Sequence, residues 1–130
     1  MTARRRIPDV EGRSAVNSWL AADGRIDNDV VATAVRWGLE ELAERAPGQS
    51  VEVRVPPHGA TQIIEGSVHR RGTPPAVVEL RPDVFLSLAT GGISWQDAVA
   101  GGLVTASGES ADLSDLVPLV PPNPAHPATP

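Results

Sequence analysis

The sequence contains no cysteine, no tyrosine and no lysine, and only one phenylalanine. The absence of cysteine excludes disulfides, thiol catalysis and cysteine-based zinc sites. Hydrophobic residues make up 41% of the chain and aromatic residues only 3%, so we expect a core of valine, leucine, isoleucine and alanine. No apolar run approaches the roughly 20 residues of a membrane-spanning helix, which argues against an integral membrane protein.

All 11 basic residues are arginine, and 16 acidic residues bring the net charge to −5. This acidic balance argues against nucleic-acid binding, because phosphate neutralisation needs a basic face. Arginine without lysine is typical of a high-GC genome, such as those of actinobacteria. The basic cluster Arg4–Arg6 is followed by Ile7 and Pro8 rather than by the apolar stretch of a signal peptide, so we expect a cytoplasmic location.

Two helices are predicted in the first third of the 130 residues, a length that fits one domain. Val16, Trp19 and Leu20 share one face of a helix over residues 13–22. The second helix starts after the capping residues at 27–29 and shows a long apolar stripe before Pro47 and Gly48 end it.

The hydrophobic period then changes to two, which indicates strands. Residues 51–55 alternate strictly, residues 61–68 follow a Pro-Pro-His-Gly break, and residues 76–80 form a third segment. A helix with Pro82 in its first turn, a short helix capped by Ser94, a strand over 103–107 and a short helix over 112–117 complete the prediction. The order indicates an α+β domain with a mainly antiparallel sheet.

The expected domain covers residues 10–119, between a flexible basic arm (1–9) and a disordered proline-rich tail (120–130). Two arginines in the loop between the second and third strands, Arg70 and Arg71, are candidates to clamp a carboxylate or phosphate. The alternative for this loop is an ordinary solvated surface. Trp37 and Trp95 are expected to be core anchors rather than stacking platforms. Arg54 and Glu79 would pair on the outer face of the sheet if their strands are neighbours.

No catalytic constellation is evident in the sequence. The three histidines, His58, His69 and His126, have no zinc-type spacing. A nucleophile elbow, a Walker loop and a dinucleotide-binding glycine motif are also missing. We therefore predict a chain that is not an enzyme and that carries no cofactor and no metal. A catalytic alternative would need His58, His69, Arg71 and a carboxylate to converge in one cleft.

In the segments 82–91, 94–98, 102–108 and 116–119, a helix ending in a Thr-Gly step is followed by a short helix, a strand and a second short helix. This order resembles the C-terminal half of sterol carrier protein domains. The segments 53–57, 64–66, 69–75 and 78–79 are similar to stand-alone bacterial orthologues of this family from actinobacteria. The resemblance covers about residues 10–119.

This resemblance implies a five-stranded sheet covered on one face by helices, with an apolar cavity between the layers. It implies a carrier of a fatty acid, an acyl-CoA or another lipid. The expected lining consists of Phe85, Leu88, Val99, Leu103 and Leu116, with Arg70 or Arg71 at the mouth. A proline-rich tail replaces the long apolar C-terminal helix of other family members, and the peroxisomal Ser-Lys-Leu ending is absent.

A second hypothesis is an accessory or protein-interaction module with a filled core and no ligand. It is motivated by relatives that occur beside catalytic domains, as in mycothiol-dependent isomerases. The volume of the cavity would discriminate between the two hypotheses.

Overall fold

The computed structural model describes residues 6–23, 25–66, 76–107 and 111–120. Its helices are α1 (Asp9–Ala22), α2 (Asn28–Arg45), α3 (Pro82–Ala89) and α4 (Trp95–Ala100). Its strands are β1 (Val51–Val55), β2 (Gly59–Ile63), β3 (Ala76–Leu80) and β4 (Val104–Ser107). The first three predicted helices and the strands at 51–55 and 76–80 are confirmed, with helix ends that differ by a few residues.

Helix α1 begins earlier than the apolar pattern predicted, at Asp9 rather than Arg13. The backbone N–H of Gly12 donates to the carbonyl of Pro8 at 3.0 Å, and Asp9 and Glu11 place negative charge in the first turn. Gly12 lies directly against the ring of Trp37, where a Cβ would overlap the indole. This close approach lets α1 pack closely on α2.

The four strands form one mixed sheet in the order β2-β1-β3-β4. Strand β1 pairs antiparallel with β2 and parallel with β3, and β3 pairs antiparallel with β4. The described residues form four strands rather than the expected five; two of the three strand pairs are antiparallel, as predicted, and the pair of β1 with β3 is parallel. Alternation along one strand carries no information about the direction of its neighbour, which is why the parallel pair was missed.

Strand β2 is shorter than predicted because the chain turns away at Ile64. This residue has a φ of 65°, which is unusual for a β-branched side chain. Its N–H donates to the carbonyl of Ala46 at 2.7 Å, and its own carbonyl accepts from the backbone of Ser50 at 2.9 Å. These bonds tie the end of β2 to the loop that connects α2 to β1.

One face of the sheet is buried beneath the helices. Val51, Val53, Val55 and Val78 are almost inaccessible, whereas Arg54, Gln62, Glu79 and Thr105 are exposed. Trp37 and Trp95 are also buried, as predicted for core anchors. The hydrophobic core therefore lies between the helices and the apolar face of the sheet.

The predicted helix over residues 112–117 is wrong. The segment forms a turn instead, in which the carboxylate of Asp112 accepts from the backbone N–H of Ser114 at 2.9 Å. The backbone N–H of Leu116 donates to the carbonyl of Leu113 at 2.9 Å. Pro118 disfavours helical backbone at the residue before it, and the burial of Leu113 and Leu119 in the core favours the irregular path.

Candidate functional site

Phe85 and Leu88 project from α3 into the hydrophobic core, where they are 3% and 2% exposed. The phenyl ring lies against the backbone of Gly38 in α2, because a Cβ built on Gly38 would be 2.6 Å from Cε2 of Phe85. The same Cβ would be 3.6 Å from a methyl group of Leu119. Phe85 therefore lies at the packed contact between α2 and α3, and Leu88 is buried in the core.

Val99 and Leu103 lie on the surface instead, with exposed fractions of 48% and 45%. They flank the turn from α4 to β4, in which Gly102 donates to the carbonyl of Val99 at 3.1 Å and Leu103 donates to that of Ala98 at 3.0 Å. Leu116 is half-buried and packs against the core from the C-terminal segment. The predicted lining residues therefore do not form one group, because some lie in the core and others on the surface.

Of the five predicted lining residues, Leu103 lines an open depression of about 480 Å³ and the other four do not. Leu103 lies at its surface side, and its lining includes Leu80 and Val84, which are both members of the core. Val84 directly precedes Phe85 in α3. The depression therefore reaches the edge of the same core that contains Phe85 and Leu88. The remaining lining residues are Pro56, Glu79, Arg81, Gly102 and Thr105.

Arg81 lies at the rim of this depression, and its side chain is 83% exposed. Its Nε is 3.4 Å from Oδ1 of Asp83, a weak surface pair. Sequence reasoning missed this arginine because nothing in the local pattern places the end of β3 beside Gly102 and Leu103. The predicted mouth residues Arg70 and Arg71 lie outside the described residues.

The histidines do not form a site in the part of the chain that the structure describes. His58 is buried in the turn between β1 and β2, and its carbonyl accepts from Nε of Arg36 at 3.1 Å. His69 and His126 lie outside the described ranges. No group of three or more histidine and acidic side chains able to hold a metal ion occurs among residues 6–23, 25–66, 76–107 and 111–120.

The outer face of the sheet carries a short charged row. Arg54 lies opposite Glu79 in the parallel register of β1 and β3, so the condition for the expected pairing, neighbouring strands, is met. The ion pair runs along β1, however, with Nη2 of Arg54 3.1 Å from Oε2 of Glu52. This row belongs to the solvent side of the sheet, opposite the core.

Within the described residues, no helix is long and apolar enough to cross a membrane. Helix α2, the longest, has 18 residues and carries charged side chains along its length.

The family described as "Bacterial SCP ortholog" matches residues 27–119, which is more than two thirds of the 130 residues. Nothing among the curated proteins matches the chain. The matched region starts at α2 and includes the whole sheet, the depression and the segment that carries Leu113 and Leu119. The chain belongs to the bacterial family of sterol carrier protein orthologues.

Proposed function

We propose that the chain is a non-catalytic carrier that binds an apolar ligand, namely a fatty acid, an acyl-CoA or another lipid, between its helices and its sheet. Membership of the sterol carrier-like family supports this role. The observation that carries the proposal is the depression whose lining passes from exposed Leu103 to the core residues Leu80 and Val84.

The ligand would enter at the depression and extend its chain toward α3. In this arrangement Leu103 and Val99 contact the ligand near the surface, and Phe85, Leu88 and Leu116 line its inner end. The volume of about 480 Å³ lies within the roughly 300–1,000 Å³ of small-molecule sites. Because Phe85 and Gly38 are in close contact, the inner part of the site would widen when the chain enters.

The charged end of the ligand would remain at the rim. Arg70 and Arg71 stay our candidates for binding a carboxylate or phosphate there, and Arg81 is a third. A guanidinium is suited to this task because its planar N–H groups match two oxygens of such an anion. A cytoplasmic location fits this role and also remains a proposal.

Displacement of a fluorescent fatty acid tests the site. Leu103→Asp places a charge at the surface side of the depression, and we expect its apparent dissociation constant to rise at least about tenfold, equivalent to about 1.4 kcal/mol. Leu20→Asp is the matched control, because Leu20 is 52% exposed on α1. Equal affinities for both variants would contradict the proposed position, and failure of the unsubstituted chain to bind the probe would contradict the carrier role.

The close packing of Phe85 against Gly38 favours the alternative function, an accessory or interaction module with a filled core. Such a module would bind no fatty acid and would retain a defined protein partner in pull-down experiments. The displacement assay and the pull-down therefore separate the two functions.

A further inference from the structure

A second concave surface lies between α1 and the first turns of α2. Its volume is about 440 Å³, and among the described residues it shares none with the depression beside Leu103. We call it the α1–α2 groove, and its lining consists of Val10, Glu11, Ser14, Ala15 and Ser18 of α1 with Asp29, Val30 and Thr33 of α2. The residues from α1 are spaced by three or four positions, so they form one face of that helix.

The α1–α2 groove includes exposed apolar surface. Val10 is the most exposed of the large hydrophobic residues that the structure describes, at 81%. Val30 packs against the core and is only partly buried. The hydroxyl of Thr33 donates to the carbonyl of Asp29 at 3.0 Å and is therefore engaged within α2. Burial of Val10 and Val30 by a partner would contribute to its binding.

The charged side chains of the α1–α2 groove are all of one sign. Glu11 and Asp29 are exposed carboxylates, one on each helix, and no described lining residue is basic. Neither carboxylate forms an ion pair with a described residue. The guanidinium of Arg13 is engaged elsewhere, because its Nε lies 2.8 Å from Oδ2 of Asp9 and its Cζ lies 5.3 Å from the centroid of the Trp37 ring.

This charge indicates which partner suits the α1–α2 groove. The net charge of −5 and the two carboxylates of the groove disfavour nucleic acid, an anionic lipid surface and the acidic body of a second copy. A protein segment that carries lysine or arginine is attracted instead, because its cations can pair with Glu11 and Asp29. The α1 wall spans residues 10–18, or about 12 Å, which is roughly two helical turns.

We propose that the α1–α2 groove binds a basic amphipathic helix of a partner protein. Such a helix would lay the apolar side chains of one face against Val10 and Val30, with lysine or arginine beside Glu11 and Asp29. The matched family region begins at residue 27, so the wall formed by α1 lies outside it. The inference goes beyond the proposed carrier function, because no described residue of the groove lines the depression.

Fluorescence anisotropy of the full chain with two labelled model peptides tests this inference. Both peptides have about 18 residues, or about five helical turns, with leucine along one face. One carries lysine on the flanks of that face and the other carries glutamate. The chain should bind the lysine peptide saturably and the glutamate peptide at least about tenfold more weakly. Equal binding of both peptides, or no binding of the lysine peptide, would overturn the proposal.

Two pairs of variants test the position of the peptide. Glu11→Arg should raise the dissociation constant of the lysine peptide at least about tenfold, because a repulsion replaces an attraction. Glu65→Arg, at an exposed residue beyond β2, changes the net charge equally and is the matched control. Val10→Ser should also weaken binding, whereas Leu20→Ser, at an exposed residue of α1 outside the groove, should not. Equal effects within either pair would overturn the proposed position.

Amide chemical shifts provide a measurement that needs no variant. With the lysine peptide, the changes should concentrate at residues 10–18 and 29–33 and should leave residues 102–105 of the depression unchanged. Changes centred on the depression would overturn the proposal. The same changes at the groove on raising the concentration of the chain alone would assign the groove to a second copy and would also overturn it.

Discussion

Gly38 lies on α2 at a position where packing leaves no room for a side chain. It faces the ring of Phe85 at a distance that allows no additional carbon, because its Cβ would lie 2.6 Å from Cε2 and 2.9 Å from Cζ. Phe85 is itself buried among the residues of the core. The contact between α2 and α3 therefore depends on the absence of a side chain at this position.

In Gly38→Ala the added methyl group overpacks the core, which usually costs about 1–3 kcal/mol. The gain in helix propensity offsets about 1 kcal/mol of this cost, so we predict a net destabilisation of up to about 2 kcal/mol. Gly59→Ala is the control, since its Cβ would meet only a methyl group of Leu39 at 3.4 Å. Urea unfolding measures the free energy of unfolding of both variants. A Gly38→Ala variant as stable as the parent would contradict this description of the helix contact.

Asp112 provides a test of the C-terminal turn. The backbone N–H of Ser114, and then its hydroxyl, donate to the carboxylate and hold the pKa of Asp112 below its ordinary value of 3.8. A carboxyl with a lowered pKa in the folded state stabilises that state above its ordinary pKa, and the contribution is lost as pH falls through the lowered pKa. The free energy of unfolding should therefore decrease as the pH falls below the ordinary pKa of Asp112.

Ser114→Ala removes the hydroxyl but leaves the backbone donor, so the pKa of Asp112 should move only part of the way back. Carbon-13 NMR titration of the carboxyl group measures it. Ser107→Ala, an exposed serine on β4, should have no effect on this titration. A pKa of Asp112 at its ordinary value in the unsubstituted chain would rule out the turn.

The position of a candidate site residue could be predicted from the sequence only where its burial follows from the apolar period of a helix. Phe85 and Leu88 fall on the apolar side of α3 and are buried as that pattern predicts. Leu103 and Arg81 come together at the depression because β3 and β4 are neighbours. That contact joins distant parts of the chain, so sequence periodicity cannot reveal it.

At the scale of elements, local signals identified most helices and strands correctly. The short helix α4 is an example, since Ser94 caps it by accepting from the N–H of Asp97 at 3.0 Å. The parallel pairing of β1 with β3 was not predictable, because it depends on how the chain crosses between them. The turn over residues 112–117 was mistaken for a helix because Asp112 is a residue type that caps helices and Pro118 is one that ends them.

The segment at residues 111–120 is attached to the core by few but well-defined contacts. Leu119 and Val120 both donate their N–H groups to the carbonyl of Ala89, at 2.8 and 3.0 Å. Nη2 of Arg45 donates to the carbonyl of Leu119 at 2.6 Å. The side chain of Leu119 is buried beside Gly38, so this segment completes the core without forming a helix or a strand.

Leu119→Ala should destabilise the chain by about 2–5 kcal/mol, because a buried leucine is replaced and a cavity remains. Leu20→Ala, at an exposed leucine of α1, should change stability by no more than about 0.5 kcal/mol. Thermal or urea unfolding measures the loss of stability in each of the two variants. Similar small effects of both substitutions would mean that the segment does not contribute to the core.

At the scale of the whole molecule, a sheet covered by helices on one face presents two distinct surfaces near Leu103. The depression reaches inward toward α3, and the edge of β4 faces outward. The depression supports the carrier role. Both surfaces include residues of the short neutral stretch between α4 and β4.

Organic extraction of the purified chain, followed by mass spectrometry, tests the carrier role most directly. We expect a restricted class of apolar compounds in an amount comparable to that of the protein, and a smaller amount from the Leu103→Asp variant. An extract no richer in such compounds than that of an unrelated protein purified in the same way, together with no displacement of a fluorescent fatty acid, would contradict the proposal.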